Sequence, residues 1–205
     1  NILKKINSIV WRLEEFMKVI DNVCMIPTRI FNYMLLRYKK VQVGKKCCVE
    51  GKLRIYGKAK KFSIGDDIRI ISCRKSNPLG GQTTFALGKD AIISIGDKSG
   101  ISNSIFRIET SLEIGKNVNI GGDCKFYDSD MHSIDYYERI QNPDTTIKRA
   151  PIVIEDGVWI GAHSIILKGV TIGKRSVIAA GSVVTKNIPQ NELWAGNPAH
   201  FIRKI

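Results

Sequence analysis

No apolar run in this sequence approaches the roughly 18–20 residues that span a bilayer, so a membrane channel is excluded. Cysteine occurs only five times, at Cys24, Cys47, Cys48, Cys73 and Cys124. That odd, scattered set holds no CxxC, which argues against a disulfide scaffold or a zinc knuckle and for a reducing compartment. Neither GxGxxG nor GxxxxGK[ST] occurs, which removes dinucleotide folds and P-loops. Histidine occurs three times, at His132, His163 and His200, so each one can be weighed. No secretory leader pattern is present, and the chain opens at Asn1; the expectation is a cytoplasmic protein.

Acidic residues are scarce at one end. Residues 1–61 hold 15 Lys+Arg against 4 Asp+Glu, a balance of +11, whereas residues 62–205 hold 17 against 15, a balance of +2. A basic segment can meet nucleic acid, anionic lipid or an acidic polymer. No nucleic-acid module accompanies it, so no nucleic-acid partner is expected. With 205 residues, 43% of them apolar, the chain fits one domain with a sizeable core.

The strongest pattern has period six. Ile154, Ile160, Ile166, Ile172, Ile178 and Val184 are six consecutive β-branched aliphatics. Four residues after each stand Val158, Ser164, Val170, Ser176, Ser182 and Ile188, mostly small. Fainter copies occur at Val43–Val49–Ile55, Ile64–Ile70, Ile95–Ile101 and Ile114–Ile120–Phe126. A helix would space its apolar residues three or four apart, so period six rejects an amphipathic helix. Six residues fit a short strand plus a corner, and three such units close a triangular coil. Coils stack at the strand spacing of ~4.8 Å, with each aliphatic resting on its counterpart 18 residues away. About five coils are expected. Cys47 and Cys124 fall in small-residue slots and read as structural.

The period breaks at residues 1–40, 72–92 and 128–152. Residues Ile2 to Ile20 carry aliphatics at helical spacing, and a second helical stretch is expected near Arg29–Lys40, after Pro27. The predicted organisation is a helical basic N-terminal segment at 1–42, a β-helix at 43–189 and a C-terminal tail at 190–205. A long excursion inside a rigid stack, as at 128–152, is where a functional loop is expected. His132 lies in it among Asp128, Asp130 and Asp135, acids that can raise its basicity or fix one tautomer, as a general base requires. His163, in IGAHS, reads as exposed and incidental.

The hexads, with APIVIEDGVWIGAHSIILKGVTIGKRSVIAAGSVVTK and the later AGNPAHFIRKI, resemble the hexapeptide-repeat acetyltransferases. The sugar O-acetyltransferases of the galactoside and maltose type are the nearest subgroup. The resemblance is close over 114–205 and looser upstream. It implies an all-β, left-handed parallel β-helix and acetyl-CoA as co-substrate. It also implies a parallel homotrimer whose active sites lie between subunits. His132 matches the family's general base, and Asp130 is a candidate to orient it. Trp159 matches a tryptophan lining the acyl and acceptor region, and the Ala162 amide the donor to the oxyanion. Asn103 and Asp128 are candidate acceptor contacts. The Ala180 backbone would hold the pantetheine, while Thr185, Lys186 and Arg203 would meet the nucleotide end. His200 stands where the family often has a second basic residue. The same fold hosts a three-histidine zinc site, but histidines 31 and 37 residues apart do not form one, so no metal is expected.

The implied activity is acetyl-CoA-dependent O-acetylation of a sugar hydroxyl, on a surface polysaccharide or its precursor. Alternatives are a small sugar, a xenobiotic or an amino-sugar nucleotide as acceptor, and a non-catalytic β-helix scaffold. Residues 1–61 give a further expectation of peripheral contact with anionic membrane or acidic glycan.

Overall fold

The computed structural model describes residues 11–12, 26–141 and 146–205. The helical pattern from Ile2 to Ile20 lies almost wholly outside these. The helix expected after Pro27 is present as α1, Ile26–Tyr38.

From Gln42 onward the chain winds as a left-handed parallel β-helix of three sheets. The first sheet stacks six strands from Gln42–Val43 to Thr171–Ile172, and the third stacks six from Arg54–Gly57 to Val183–Val184. The second runs from Cys48–Gly51 through Val177–Ile178 and continues into Glu192–Gly196 and Ala199–Lys204. Six rungs are present rather than about five, because the Thr84–Leu87 and Ile105–Ile108 strands fall where the aliphatic spacing is lost.

The register explains the period. Ile114 pairs with Ile154, and Ile154 with Ile172; Ile120 pairs with Ile160, and Ile160 with Ile178. All of these aliphatics are buried, so each sheet turns alternate side chains into the prism. Ser164, Ser176 and Ser182 fill the small slots at 0% exposure, their hydroxyls donating to Gly161, Pro189 and Ala179 carbonyls. Cys124 occupies such a slot too. Its thiol donates to Gly161 O at 3.2 Å, and burial pushes its pKa up to about 11. A thiol held neutral in this way is a packing group.

In the lower half phenylalanine replaces isoleucine. Phe62, Phe85, Phe106 and Phe126 form a column with centroids 5.0, 4.6 and 4.7 Å apart, the last two contacts stacked. The upper end is closed by the tail, which is a hairpin. Its first strand joins the second sheet in parallel, its second returns antiparallel, and Trp194 continues the inward row over Ile178.

Candidate active site

Three corners join the sheets, and they distribute the candidate residues. The first corner, between first and second sheets, repeats a left-handed backbone residue on successive coils: Lys46, Asp67, Lys98, Asn117, Gly157, Arg175 and Asn191. The amide just before that residue needs an acceptor, and carboxylates from neighbouring coils supply several. Asp66 Oδ1 accepts from Lys45 N at 2.7 Å, Asp97 Oδ1 from Asp66 N at 2.9 Å, and Asp156 Oδ1 from Lys116 N at 2.8 Å. Glu155 does the same for Lys174 N at 2.8 Å.

The second corner, between second and third sheets, repeats the same turn at Asp123, His163 and Gly181, with Asn103 in the coil beneath. Here the residues in the carboxylate position are Gly122, Ala162 and Ala180. Among the described residues, no backbone acceptor takes the Ala162 or Ala180 amide. The residues preceding them include bare glycines: a Cβ on Gly121 would lie 2.6 Å from Ala162 N, and one on Gly161 2.5 Å from Ala180 N. Without those Cβ atoms the coils close up, leaving a column of donors one rung apart along the edge. Trp159, 57% exposed, stands beside this edge on the second sheet, opposite Asn119. With Gly100, Ser102 and Gly121 it lines a shallow groove of about 260 Å³.

Asn103 lies at the foot of this corner. It is 1% exposed, and its side-chain amide donates to Asn77 O at 2.6 Å and Leu79 O at 2.9 Å. These bonds fold the 73–82 loop back onto the corner, where Gly80 packs on Asp123 and Gly122 on Leu79. The other side-chain atom, Oδ1, is buried without a hydrogen bond, so Asn103 keeps one acceptor uncommitted.

The third corner, between third and first sheets, releases the excursion directly after the strand Lys125–Tyr127. Asp128, the expected acceptor contact, is engaged within its own chain. It is 0% exposed, and its carboxylate accepts from Glu109 N at 2.8 Å, Thr110 N at 2.6 Å and Thr110 Oγ1 at 2.7 Å. Asp128 fastens the base of the loop. Beyond it, Asp130 accepts from Lys168 Nζ at 2.5 Å and its amide donates to Lys148 O. Asp130 Oδ2 is buried and makes no hydrogen bond. His132 follows, exposed, before the short helix α2, Tyr136–Arg139, which Asp135 caps by accepting from Glu138 N.

Thr185 and Lys186 lie on the third corner near the upper end. Lys186 Nζ sits 5.2 Å from the Trp194 ring centroid. Arg203 is exposed on the final strand. Within one chain, therefore, His132 stands on the third corner, while Trp159, Asn103, Ala162 and Ala180 gather at the second. The intervening third-sheet strand separates those corners by roughly 10–13 Å, at ~3.3 Å per residue.

His163 is not the incidental residue its position in the sequence suggests. Its Nδ1 lies 3.1 Å from Asp123 Oδ2, and Asp123 also pairs with Lys125 Nζ at 3.1 Å. Burial pushes the Asp123 carboxyl up, but Lys125 and His163 outweigh it and leave the pKa below the usual carboxylate range. The signal that could have found this pair is Asp and His at equivalent corner positions of neighbouring coils. Among the described residues no three His, Cys, Asp or Glu side chains gather as metal ligands would.

A triangular parallel coil built on a six-residue period is the architecture of a hexapeptide-repeat protein. The model for bacterial transferase hexapeptides (six repeats) matches residues 151–186. A hexapeptide-repeat acetyltransferase of Vibrio cholerae, crystallised with acetyl-coenzyme A, is 32% identical, with 86% of this chain and 77% of that one covered and a TM-score of 0.58. A maltose O-acetyltransferase of Clostridium difficile is 30% identical over 90% of this chain and 86% of its own, with a TM-score of 0.57. A Staphylococcus aureus protein assigned as an acetyltransferase is 41% identical over 114 residues, 46% of this chain and 56% of that protein. The chain thus spans about half the length of the curated relatives it matches, and it belongs to the hexapeptide-repeat acetyltransferase family.

Proposed function

We propose that this chain binds acetyl-CoA and transfers its acetyl group to a sugar hydroxyl, on a surface polysaccharide or its precursor. The observation that carries the reading is the second corner. It repeats the turn of the first corner, but Gly122, Ala162 and Ala180 stand where three first-corner turns have Asp66, Asp97 and Asp156, and among the described residues the Ala162 and Ala180 amides are left to an outside acceptor. An extended ligand with carbonyl oxygens along its length, as pantetheine has, fits such a column. The acetyl-CoA bound to the Vibrio relative and the acceptor in the name of the Clostridium relative support the two halves of the reaction.

In this reading neutral His132 accepts the proton of the sugar hydroxyl as that oxygen attacks the thioester carbonyl. The Ala162 N–H donates to the carbonyl oxygen as negative charge builds on it. The carbon–sulfur bond then breaks, and the His132 proton passes to the departing CoA sulfur. No acyl-enzyme forms, and much of the acceleration comes from holding two substrates in attack geometry. Asn103, with a buried uncommitted oxygen, and exposed Trp159 border the acceptor side. Thr185, Lys186 and Arg203 serve the nucleotide end, Lys186 leaving its Trp194 contact to do so. Because His132 and the Ala162 edge occupy different corners of one prism, the reading includes a homotrimer in which the third corner of one chain meets the second corner of the next.

The test is release of free CoA thiol over a panel of saccharides, nucleotide sugars and antibiotics, for the wild type and His132→Ala. Turnover should fall by about 10²–10⁴ in the variant, with acetyl-CoA affinity by calorimetry nearly unchanged. Wild-type turnover in the variant removes His132 as the base, and CoA release with no saccharide in the panel removes the sugar.

A further inference from the structure

The helix α1 has two sides. One is fixed to the first coil: Asn32, 3% exposed, donates to Gly51 O at 2.8 Å and accepts from Leu53 N at 3.0 Å. Leu35 and Leu36 pack beside it against the core. On the opposite side Ile26, Ile30 and Met34, at spacings of four and eight, are all 48% exposed or more, and Tyr33, 64% exposed, borders the cavity between the helix and the first coil. Among the described residues nothing covers this helical stripe, where a helix on a globular protein should be polar. Exposed Arg29 and Arg37 flank the stripe, and Lys39 and Lys40 follow it.

The coil beneath is ringed by charge of one sign. Lys45 and Lys46 are exposed on its first corner, and Lys58, Lys60 and Lys61 at its third. Residues 26–61 hold eleven Lys or Arg and one acid, Glu50, which pairs with Arg69 at 2.7 Å. The basic balance is therefore uncompensated and shares one end of the prism with the apolar stripe.

We infer that this end docks on an anionic lipid surface, with α1 lying in the headgroup layer and no segment crossing. An anionic lipid surface answers both features. An acidic polymer would neutralise the lysines and leave the stripe wet. A second copy of this chain would cover the stripe but bring a like-charged end against this one. An interfacial helix with apolar side chains on one face and cations around it gains from apolar burial and from anionic headgroups together. The described helices include none long and apolar enough to cross a membrane.

The experiment is co-sedimentation of the full chain with phosphatidylcholine vesicles, with and without phosphatidylserine, at low and high salt. Recovery on anionic vesicles should exceed that on neutral ones at least about tenfold at low salt and collapse at high salt. Ile30→Ser/Met34→Ser and Lys58→Gln/Lys60→Gln/Lys61→Gln alter only exposed residues outside the proposed active site, and each should cut anionic binding several-fold with an unchanged circular dichroism spectrum. Equal recovery on both vesicle types, or none at low salt, overturns the inference. If Ile30→Ser/Met34→Ser changes the sedimentation coefficient but not vesicle binding, the stripe belongs to a second copy. If it binds vesicles and soluble dextran sulfate as the wild type does, the end is a site for charge alone. No readout depends on acetyl transfer, so this inference and the enzymatic reading fail separately.

Discussion

The first and second corners of the prism share one backbone turn and differ in what they do with the amide inside it. Along the first, Asp66, Asp97, Asp156 and Glu155 reach across coils to accept from such amides. Along the second, the corresponding residues are Gly122, Ala162 and Ala180, and the carboxylate stands one place later, as Asp123, where it meets His163 and Lys125 side chains. Capped amides fasten coils together and are spent. Uncapped ones are available, and bare glycines bring the coils equally close at both corners: a Cβ on Gly161 would lie 2.5 Å from Ala180 N, and one on Gly173 2.5 Å from Gln190 N. What differs is the carboxylate that reaches the coil beneath.

The largest expected effect comes from giving the second corner what the first has. Ala180→Asp should place a carboxylate against the Ala162 amide, as Asp66 does for Lys45. Acetyl transfer should fall by about 10²–10³, the usual loss on removing one oxyanion donor, while the melting temperature holds or rises. Unchanged turnover would show that the Ala162 amide takes no part. Next is the third corner, where Asp128 supplies three hydrogen bonds from full burial. Asp128→Ala should cost about 2–3 kcal/mol in chemical denaturation, and a cost near zero would show that its bonds to Glu109 and Thr110 do not fasten the loop. Uncapping the first corner with Asp66→Ala should cost only about 0.5–1 kcal/mol and leave acetyl transfer intact, which a thermal melt and a thiol assay check together.

The smallest effect is a pH dependence at the second corner. The Asp123 carboxyl is depressed in the folded chain, so its contribution to stability is complete above the ordinary carboxylate pKa of about 3.9 and is lost as pH falls through the lower folded value. Asp123→Asn should lower stability slightly near neutrality and flatten the acid limb of a stability–pH curve below pH ~4, so that variant and wild type converge in acid. An unchanged acid limb would mean that the ion pairs with Lys125 and His163 contribute nothing measurable.

How much of this was legible depends on the distance over which residues act. The hexads from Ile154 to Val184 are uninterrupted, so fold, register and the inward row could be read directly. The lower coils could not, for three local reasons. Residues 73–82 interrupt one coil, the turn at Asn103 is one residue shorter than its counterparts, and Phe85 and Phe106 stand where a β-branched residue marks the repeat elsewhere. The hairpin escaped because its returning strand runs antiparallel and follows no hexad. His132 stood out because its loop breaks a period. The hydrogen bonds of Asp128 were not legible because its partners, Glu109 and Thr110, lie 19 and 18 residues back, and the sequence shows a carboxylate without showing what it touches. The carboxylate caps escaped for the same reason, since Asp156 lies 40 residues from Lys116.

The closing hairpin has a consequence of its own. Six in-register parallel rungs with stacked phenylalanines inside are, in miniature, the arrangement of a cross-β fibre. Such a stack can lengthen as long as its last strand presents a parallel template to the next chain. Here the second sheet ends instead on Ala199–Lys204, running the opposite way and offset by an irregularity between Leu193 and Trp194. A newcomer meets reversed polarity and broken register at that sheet, so the hairpin opposes edge-to-edge addition there while the prism below it keeps its parallel order.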